Sequence, residues 1–397
     1  MNATLLVLNA GSSSLKFALH PAAREADGGP ICRGLVDGIG GRGNLRVYST
    51  ADTQRAADSV LDVAASDHQE ALQLVLDWLE RNYGELDLVA AGHRVVHGGS
   101  EFAAPVILDD AVLARLESLI PLSPLHQPHS LAAIRALERL RPGLPQVACF
   151  DTAFHRTMPE LAQCFALPAE FAERGVRRYG FHGLSYEYIA DVLPAHLGAA
   201  AHGRVVVAHL GNGASLCAMR DRRSVETSMS FTPLDGIPMG TRCGALDPGV
   251  LLYLMREQGM NEPALSELLH HRSGLLGLSG LSGDVRELLH SDRPEAARAL
   301  EHCAYRIAQA MGGLAVVLGG LDAVVFTAGI GEHAAPVRAA VCRRLEWLGL
   351  ILDDAVNARH GPRISTADSR ISAWVIPTDE ESVIARHTRA LAGQAVL

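Results

Sequence analysis

Short runs of apolar residues alternate along the chain with longer segments in which apolar residues recur every three or four positions. The short runs predict strands that are buried on both faces, and the longer segments predict helices that bury one face. The predicted strands are Leu5–Leu8, Leu88–Ala91, Gln146–Phe150, Val205–His209, Ala323–Thr327 and Trp374–Ile376. Their alternation with helices predicts an α/β fold.

The helical period is clear in three segments. The first begins at Ser66, and Gln69 stands where it would complete a capping box. The second begins at Ser130. The third begins at Pro294 and ends at Gly312-Gly313, a pair that predicts close approach of another stretch of backbone.

One faint repeat indicates a duplicated domain. Residues Leu6–Phe17 have the pattern of a strand, a turn of small residues and a second strand, and Val206–Ala218 follow the same plan about half a chain later. Two hairpins with Gly/Ser tips predict two related domains whose tips face one cleft.

Composition narrows the class of protein. Hydrophobic residues make up 48% of the 397 residues, which excludes a disordered chain. The net charge of −9 argues against nucleic acid or an anionic membrane as the main partner. Seven cysteines without a C-x-x-C pair predict no disulfide framework or zinc site and favour the reducing cytoplasm. The first apolar run stops at Asn9, too early for a signal peptide, and no stretch approaches the roughly 18 apolar residues that span a bilayer.

Three glycine-rich turns have the composition of phosphate- or nucleotide-binding loops. They are Asn9–Lys16, His209–Ser215 and Thr327–His333, and the third follows a predicted strand, whose carboxyl end is a common ligand site. None is a Walker loop, because G-x-x-x-x-G-K-[S/T] does not occur. The alternative for each is an ordinary polar turn or a tight strand–helix connection.

Candidate charged groups stand beside these turns. Arg94, His182 and Arg242 each have a glycine close by, and phosphoryl transfer needs positive groups fixed around the transferring oxygens. Taken singly, each also fits a surface ion pair or a core histidine. Asp151 ends a predicted strand and Glu380 begins the last helix, where carboxylates serve as helix caps or as Mg²⁺ ligands.

The motifs in this order resemble the acetate kinase family, in the superfamily of acetate and sugar kinases, heat-shock proteins and actin. The resemblance covers essentially the whole chain through Asn9–Lys16, Gly92–Gly99, Phe150–His155, Tyr179–Gly183, His209–Ser215, Phe231–Pro248, Ser273–Arg286, Phe326–Glu332 and Ile376–Arg386. It implies two duplicated actin-like (ribonuclease H-like) domains with the active site in the cleft between them. The expected N-terminal domain is 1–151 with a returning helix 382–397, and the nucleotide-binding domain is 152–381. It also implies a homodimer.

The resemblance implies roles for individual residues. Asn9 and Glu380 would ligate Mg²⁺, with Mn²⁺ as an alternative, and Arg94 would bind the acyl carboxylate. Asp151 would be the catalytic acid/base, with His182 and Arg242 stabilising the transition state. A pocket for the acyl methyl would be formed by Val96, Leu125, Phe181 and Pro233. ATP would be contacted by Lys16, His209, Leu210, Gly211, Asn212, Gly213, Asp284, Val285, Arg286, Gly329, Ile330, Gly331, Glu332 and His333.

Several positions depart from the family pattern without removing a proposed catalytic group. Gln127, His333 and Asp379 replace asparagine, Ala245 replaces an aspartate, and Leu184 and Tyr186 replace threonine and histidine. We expect His333 to alter the nucleotide contact. We expect Asp379 to add negative charge beside the Mg²⁺ ligand, and Ala245 to change the geometry around Arg242.

The predicted reaction is reversible transfer of the γ-phosphoryl group of ATP to acetate, giving acetyl phosphate and ADP. The acceptor carboxylate is ionised at neutral pH, so no general base is needed. Asp151 is therefore expected to orient a Mg²⁺-bound water or the nucleophile.

Three alternatives stay open at this point. In the first, the acceptor is propionate or butyrate instead of acetate, since one methylene changes the binding free energy by only ~1–3 kcal/mol. In the second, the enzyme uses pyrophosphate in place of ATP. In the third, the chain is a non-catalytic ATP-binding switch, against which the two arginines and His182 argue.

Overall fold

The computed structural model describes residues 3–23, 29–49 and 58–395. It divides into two compact units, the first comprising Met1–Ala153 with Asp379–Leu397 and the second Phe154–Thr378. Each unit is built on its own β-sheet. Within the described ranges, no helix combines the length and apolar character needed to cross a membrane.

The first unit holds an eight-stranded sheet. Its strands are β1 (Thr4–Ala10), β2 (Ser14–Pro21), β3 (Cys32–Asp37), β4 (Gly41–Tyr48), β5 (Ser59–Ala65), β6 (Leu88–Val95), β7 (Val106–Ile107) and β8 (Gln146–Phe150). Its helices before the chain leaves the unit are α1 (His68–Tyr83), α2 (Asp110–Ser118) and α3 (Gln127–Leu140), with a 3-10 turn at Ile120–Leu122. The strand order is β5-β4-β3-β2-β1-β6-β8-β7.

The second unit holds a five-stranded sheet in the order β11-β10-β9-β12-β13. Its strands are β9 (Arg204–Leu210), β10 (Ala214–Arg220), β11 (Arg223–Thr227), β12 (Ala323–Thr327) and β13 (Ser372–Val375). Its helices are α4 (Glu160–Gln163), α5 (Ala169–Glu173), α6 (Gly183–Leu197), α7 (Pro248–Glu257), α8 (Glu262–His271), α9 (Gly274–Ser279), α10 (Val285–Leu289), α11 (Pro294–Leu318), α12 (Ala328–His333), α13 (Ala335–Arg343) and α14 (Asp354–Ala358). Short 3-10 turns occur at Ala153–Thr157, Gly198–His202 and Glu346–Leu348. The last helix, α15 (Glu380–Ala395), belongs to the first unit.

The two sheets share one plan. In the first unit β1 pairs antiparallel with β2 and parallel with β6, which pairs parallel with β8. In the second unit β9 pairs antiparallel with β10 and parallel with β12, which pairs parallel with β13. The orders β3-β2-β1-β6-β8 and β11-β10-β9-β12-β13 are therefore equivalent. Both predicted hairpins are confirmed, and the duplicated α/β architecture with them.

Burial explains why the apolar runs form strands. Every residue of β8 and of β12 is buried, as expected for central parallel strands covered on both faces. β13 begins two residues before the predicted start at Trp374 and ends at Val375. The helical pattern is also confirmed, because α1 buries Leu72, Val75 and Leu79 in the core of the first unit.

The predicted capping box at Ser66 is wrong by one residue. The N-cap of α1 is Asp67, whose side chain accepts hydrogen bonds from the main-chain N–H groups of Gln69 and Glu70. A carboxylate at this position accepts the free N–H groups of the first turn and also interacts favourably with the positive end of the helix dipole. The Glu70 side chain accepts instead from the N–H of Ser66, at 2.7 Å.

The expectation for Gly312-Gly313 is also wrong. Both glycines lie inside α11, which continues to Leu318 and is ended by Gly319 at φ 70°. A Cβ atom built on either glycine would meet nothing within 4 Å. No backbone segment within this part of the structure therefore requires glycine there.

Buried histidines make the stability of both units depend on pH. Burial lowers the pKa of His155 to about 4, and its ring nitrogens bond to Ser224 Oγ at 2.8 Å and to the main-chain oxygen of Phe181 at 2.9 Å. His20, His93 and His97 have pKa values lowered to about 4 by the same cause. Each of these imidazoles is therefore neutral in the folded protein over a range in which it is protonated in the unfolded chain.

We expect the free energy of unfolding to fall as pH is lowered from 6.5 towards 4, because the unfolded chain binds more protons there. Between pH 7.5 and 5.0 one such histidine accounts for about 2 kcal/mol. Urea denaturation of His155→Gln should show a pH dependence smaller by about that amount than the original protein shows. An unchanged pH dependence of the unfolding free energy in His155→Gln would contradict the prediction.

Candidate active site

A buried ion pair lies at the carboxyl end of two adjacent parallel strands in the first unit. Arg94 is the penultimate residue of β6, and Asp151 follows β8 directly. The Nε of Arg94 lies 3.1 and 3.0 Å from the two oxygens of Asp151, and its Nη2 lies 2.5 Å from Oδ2. Its Nη1 donates to Oδ1 of Asn9, at 3.2 Å. The strand order thus brings Arg94 together with Asp151, 57 positions away in the chain, and with Asn9, 85 positions away.

The electrostatics of this cluster keep Arg94 charged. Burial by itself would lower the pKa of Arg94, but the negative charges of Asp151 and Glu380 outweigh it and raise the pKa above its ordinary value. The side chain of Asp151 is only 1% exposed, whereas that of Arg94 is 23% exposed, so the carboxylate is shielded from solvent and the guanidinium stays partly accessible. A buried carboxylate and guanidinium in this geometry hold each other in place.

Asn9 and Glu380 have the donor chemistry that Mg²⁺ prefers. The amide oxygen of Asn9 accepts a hydrogen bond from the guanidinium of Arg94. The carboxylate of Glu380, the first residue of α15, interacts electrostatically with the same guanidinium. Magnesium usually takes one or two carboxylates and completes its shell with water and substrate phosphates. Across the described residues, no group of three or more His, Cys, Asp and Glu side chains could hold a metal without such added ligands. The residues present therefore fit a magnesium ion that binds together with a phosphate substrate.

The negative charge of Asp379, which we expect to act on this site, is paired with an arginine that lies outside the sequence motifs. Arg33 on β3 forms ion pairs with Asp379, at 2.5 Å, and with Glu381, at 3.0 Å. Burial raises the pKa of Glu381 to about 6, aided by Asp379 and Glu380 and opposed by Arg33 and Lys16. Arg33 therefore offsets the added charge of Asp379.

The first hairpin tip is fixed by its own main chain and by a histidine. Lys16 lies opposite Asn9 in the register of β1 and β2, and the N–H of Gly11 donates to the oxygen of Ser14 at 2.8 Å. The Nε2 of His68, at the start of α1, lies 2.7 Å from the oxygen of Gly11. Among the residues expected to line an acyl pocket, Val96 is buried and Leu125 is 39% exposed in this unit.

Two stacked imidazoles form the centre of the second unit's candidate site. The rings of His182 and His209 lie 4.2 Å apart at an angle of 20°. The Nδ1 of His182 lies 2.8 Å from Ser215 Oγ, and the Nδ1 of His209 lies 2.8 Å from Ser185 Oγ. His182 is the N-cap of α6 and has φ 60°, a backbone conformation that residues other than glycine adopt at a cost in free energy. Both rings are thus held through Nδ1 by a buried serine.

Arg242 lies beside these rings. A Cβ atom built on Gly213 would lie 3.5 Å from Arg242 Nη1 and 3.5 Å from His182 Nε2, so both groups border the same small space. Arg242 Nη1 also donates to the main-chain oxygen of Pro233, at 3.1 Å. Phe181, expected with Pro233 in the acyl pocket, is buried in the same unit. The glycine lets the second hairpin tip approach both side chains.

The three predicted nucleotide-binding segments of the second unit meet at one apolar pocket. Leu210 and Gly211 come from the β9–β10 turn, Val285 from the start of α10, and Ile330 from α12. The surface that lines this pocket is almost entirely apolar. Its other lining residues are Ala214, Pro238, Met239, Gly240, Leu275, Leu300, Cys303, Ile307 and Val337. An apolar cleft between glycine-rich turns has the chemistry to pack against a flat aromatic base.

The other residues predicted to contact the nucleotide do not line the apolar pocket, and they differ in exposure and in hydrogen-bond partners. The side chain of Asp284 caps α10, and Arg286 pairs with it at 2.6 Å while staying 86% exposed. Glu332 accepts from the N–H of Thr378, at 3.2 Å. His333 stands edge-on to His360, with ring centres 5.9 Å apart. Three other residues predicted to contact the nucleotide belong to the turns. The main-chain oxygen of Asn212 accepts a hydrogen bond from the N–H of Gly240, and Gly329 and Gly331 lie within α12.

Sequence reasoning missed Arg338, on α13, which supports the third turn. Its side chain is fully buried, and Nη1 donates to the main-chain oxygens of Gly331 and Glu332 at 2.8 and 2.9 Å. Nε and Nη2 donate to the side chain and main chain of Asn357, and Nη2 also lies 3.1 Å from Nδ1 of His360. Burial lowers the pKa of Arg338 to about 10. Nothing in the local pattern separates this arginine from a surface residue.

Comparison with known proteins identifies the family. A sequence model of the acetokinase family matches residues 4–386. The chain belongs to the acetokinase family. An acetate kinase from Rhodopseudomonas palustris is 54% identical over 396 residues, which cover 99% of each chain.

Solved structures in this family have the same fold. The crystal structure of an acetate kinase from Porphyromonas gingivalis matches 98% of this chain and 99% of its own, at 38% identity and a TM-score of 0.87. A propionate kinase from Francisella tularensis matches 98% of this chain and 100% of its own, at 35% identity and a TM-score of 0.91. The actin-like fold expected from the sequence is confirmed for this member of the family.

Proposed function

We propose that this protein is an acetate kinase, which transfers the γ-phosphoryl group of ATP reversibly to acetate. The observation that carries the proposal is that residues scattered in sequence cluster in each unit, Arg94 in the first and His182, Arg242 and the nucleotide turns in the second. The chain is also 54% identical to an acetate kinase. The arrangement supplies fixed positive groups, which phosphoryl transfer requires.

The second unit binds the nucleotide in this proposal. The base enters the apolar pocket between Gly211, Val285 and Ile330, and the glycine-rich turns approach the ribose and phosphates. Arg242 and the Nε2 side of His182 contact the transferring phosphoryl group beside Gly213. A guanidinium matches the geometry of phosphate oxygens and stabilises the charge that spreads over them in the transition state.

Arg94 aligns the acceptor. Asp151 and Asn9 use N–H groups on all three nitrogens of its guanidinium. Because each terminal nitrogen carries two hydrogens, one N–H on each remains to bind the acetate carboxylate. Acetate is already ionised, so Asp151 does not need to remove a proton. Both oxygens of Asp151 face Arg94, and we therefore assign Asp151 the role of orienting that arginine and, through it, the nucleophile.

Asn9 and Glu380 are the proposed ligands of the metal ion. Mg²⁺ supplies positive charge to the phosphates of the nucleotide when it is bound. Arg33 holds the residues on either side of Glu380 through its ion pairs to Asp379 and Glu381. The start of α15 is thereby fixed relative to β3.

A hydroxamate assay with ATP and Mg²⁺ tests the proposal, run in parallel on acetate, propionate and butyrate. We expect acyl hydroxamate to form fastest with acetate. Equal or faster product from propionate would make this a propionate kinase. Absence of product with every acid, while ATP still binds, would reject the kinase function.

The alternatives considered from the sequence are less well supported. Relatives at 50% and 54% identity over almost the full chain carry the name acetate kinase, whereas the propionate kinase is 35% identical. A pyrophosphate-dependent enzyme would not need the apolar pocket. A non-catalytic switch would not need Arg94 or Arg242 at these positions.

We also propose that the enzyme is a homodimer, as the resemblance implies, and that α7 lies in the interface. This helix buries none of its residues, and Val250, Leu252, Tyr253 and Met255 are all exposed on it, Leu252 by 63%. A row of large exposed apolar side chains is unusual on a monomer.

Sedimentation measurements should give twice the mass of one chain. Leu252→Asp should shift the protein towards monomer, whereas Leu161→Asp, at another exposed leucine, should not. A monomeric parent protein would reject the dimer.

A cytoplasmic location is proposed as well, supported by seven cysteines that are all free thiols.

A further inference from the structure

A chain of three side chains reaches His182 from the buried side. Tyr186 lies four residues after His182, the N-cap of α6, and both side chains reach the same serine. The hydroxyl of Tyr186 is 2.6 Å from Ser215 Oγ on β10, and the same Ser215 oxygen is 2.8 Å from Nδ1 of His182.

The proton count fixes the direction of these hydrogen bonds. Each hydroxyl carries one proton to donate. Tyr186 and Ser215 are both fully buried, and the hydrogen bonds found for residues 58–395 give neither hydroxyl another acceptor. The oxygen of Tyr186 also lies against the main chain of His209, in position to accept a hydrogen bond. The arrangement that uses both protons has Tyr186 donating to Ser215 and Ser215 donating to Nδ1 of His182.

We propose that Tyr186 and Ser215 are positioning residues that hold His182 as the tautomer with its proton on Nε2. An imidazole that accepts at Nδ1 must carry its proton on the other ring nitrogen. Nε2 is the atom that borders the space beside Gly213 and Arg242. His182 then acts as a neutral hydrogen-bond donor to the transferring phosphoryl group, a role that rests on the proposed function. Arg242 then supplies the positive charge.

The substitution Tyr186→Phe tests this assignment because it removes one hydroxyl and leaves the ring. Ser215 then has no proton donated to it from the phenol and can accept from Nδ1–H, so the other tautomer of His182 gains population. We expect kcat to fall by about tenfold, the effect of one weakened hydrogen bond in the transition state, with the KM values for acetate and ATP unchanged. Tyr186→His restores a ring N–H donor and should recover much of kcat. Tyr305→Phe, which removes an exposed hydroxyl from the same unit, is the matched control.

The direct readout is the tautomer of His182, which does not depend on activity. Two-bond ¹H–¹⁵N spectra of ¹⁵N-histidine-labelled protein distinguish protonated from unprotonated ring nitrogens, and the loss of signals in His182→Gln identifies this residue. We expect an unprotonated Nδ1 in the original protein and a shift towards Nδ1–H in Tyr186→Phe. A protonated Nδ1 in the original protein, or an unchanged tautomer in the variant, would overturn the inference. If the tautomer shifts as expected but the protein phosphorylates no carboxylate, the positioning holds and the proposed function fails.

Discussion

Arg242→Ala is expected to lower kcat by ~10²-fold or more, the usual cost of losing a charged contact made in the transition state. The guanidinium lies beside Gly213 and His182, where the phosphoryl group would pass. The apolar base pocket is formed by other side chains, so the KM for ATP should change little. Arg242→Lys keeps the charge but loses the fork of donors, and we expect an intermediate kcat.

Steady-state kinetics with both substrates check this expectation. The control is Arg174→Ala, which removes an arginine whose side chain is 72% exposed, and it should leave kcat unchanged. Circular dichroism should show the same fold in all variants. An unchanged kcat in Arg242→Ala would remove this residue from transition-state stabilisation and leave His182 as the only proposed phosphoryl contact of the second unit.

The elements of the fold could be predicted because their signals are local. The run Ala323–Thr327 is apolar at every position but its last, and it forms β12 with those bounds. The repeat of Leu6–Phe17 at Val206–Ala218 predicts two hairpins, and both are present in the sheets. Local signals failed where two residues compete for one task, as Ser66 and Asp67 do for the cap of α1.

The contacts within the candidate site could not be predicted, because they join residues far apart in sequence. Ser215 stands in a recognisable turn, but its bond to His182 spans 33 positions and depends on how α6 packs on β10. Arg33 pairs with Asp379 across 346 positions. Such pairs follow from strand order and helix packing, which the spacing of motifs does not contain.

Asp151→Asn is expected to damage both the stability and the activity of the protein. The two carboxylate oxygens now accept from Nε and Nη2 of Arg94, and an asparagine offers one acceptor and places an N–H₂ group against the other donors. Leaving a buried guanidinium without its carboxylate costs about 3–5 kcal/mol of unfolding free energy. Arg94 should also lose its alignment, so the KM for acetate should rise and kcat/KM fall by ~10²-fold or more.

The pH dependence of the loss separates orientation from base catalysis. If Asp151 were a general base, hydroxide would take over its task and the deficit of Asp151→Asn would shrink as pH rises. Acetate has no proton to remove at neutral pH, so we expect the same deficit from pH 6 to pH 9. The double variant Arg94→Met/Asp151→Asn should regain part of the lost stability, because no buried charge is left unpaired, but none of the activity. A deficit that disappears at high pH, with an unchanged KM for acetate, would return Asp151 to the role of catalytic base.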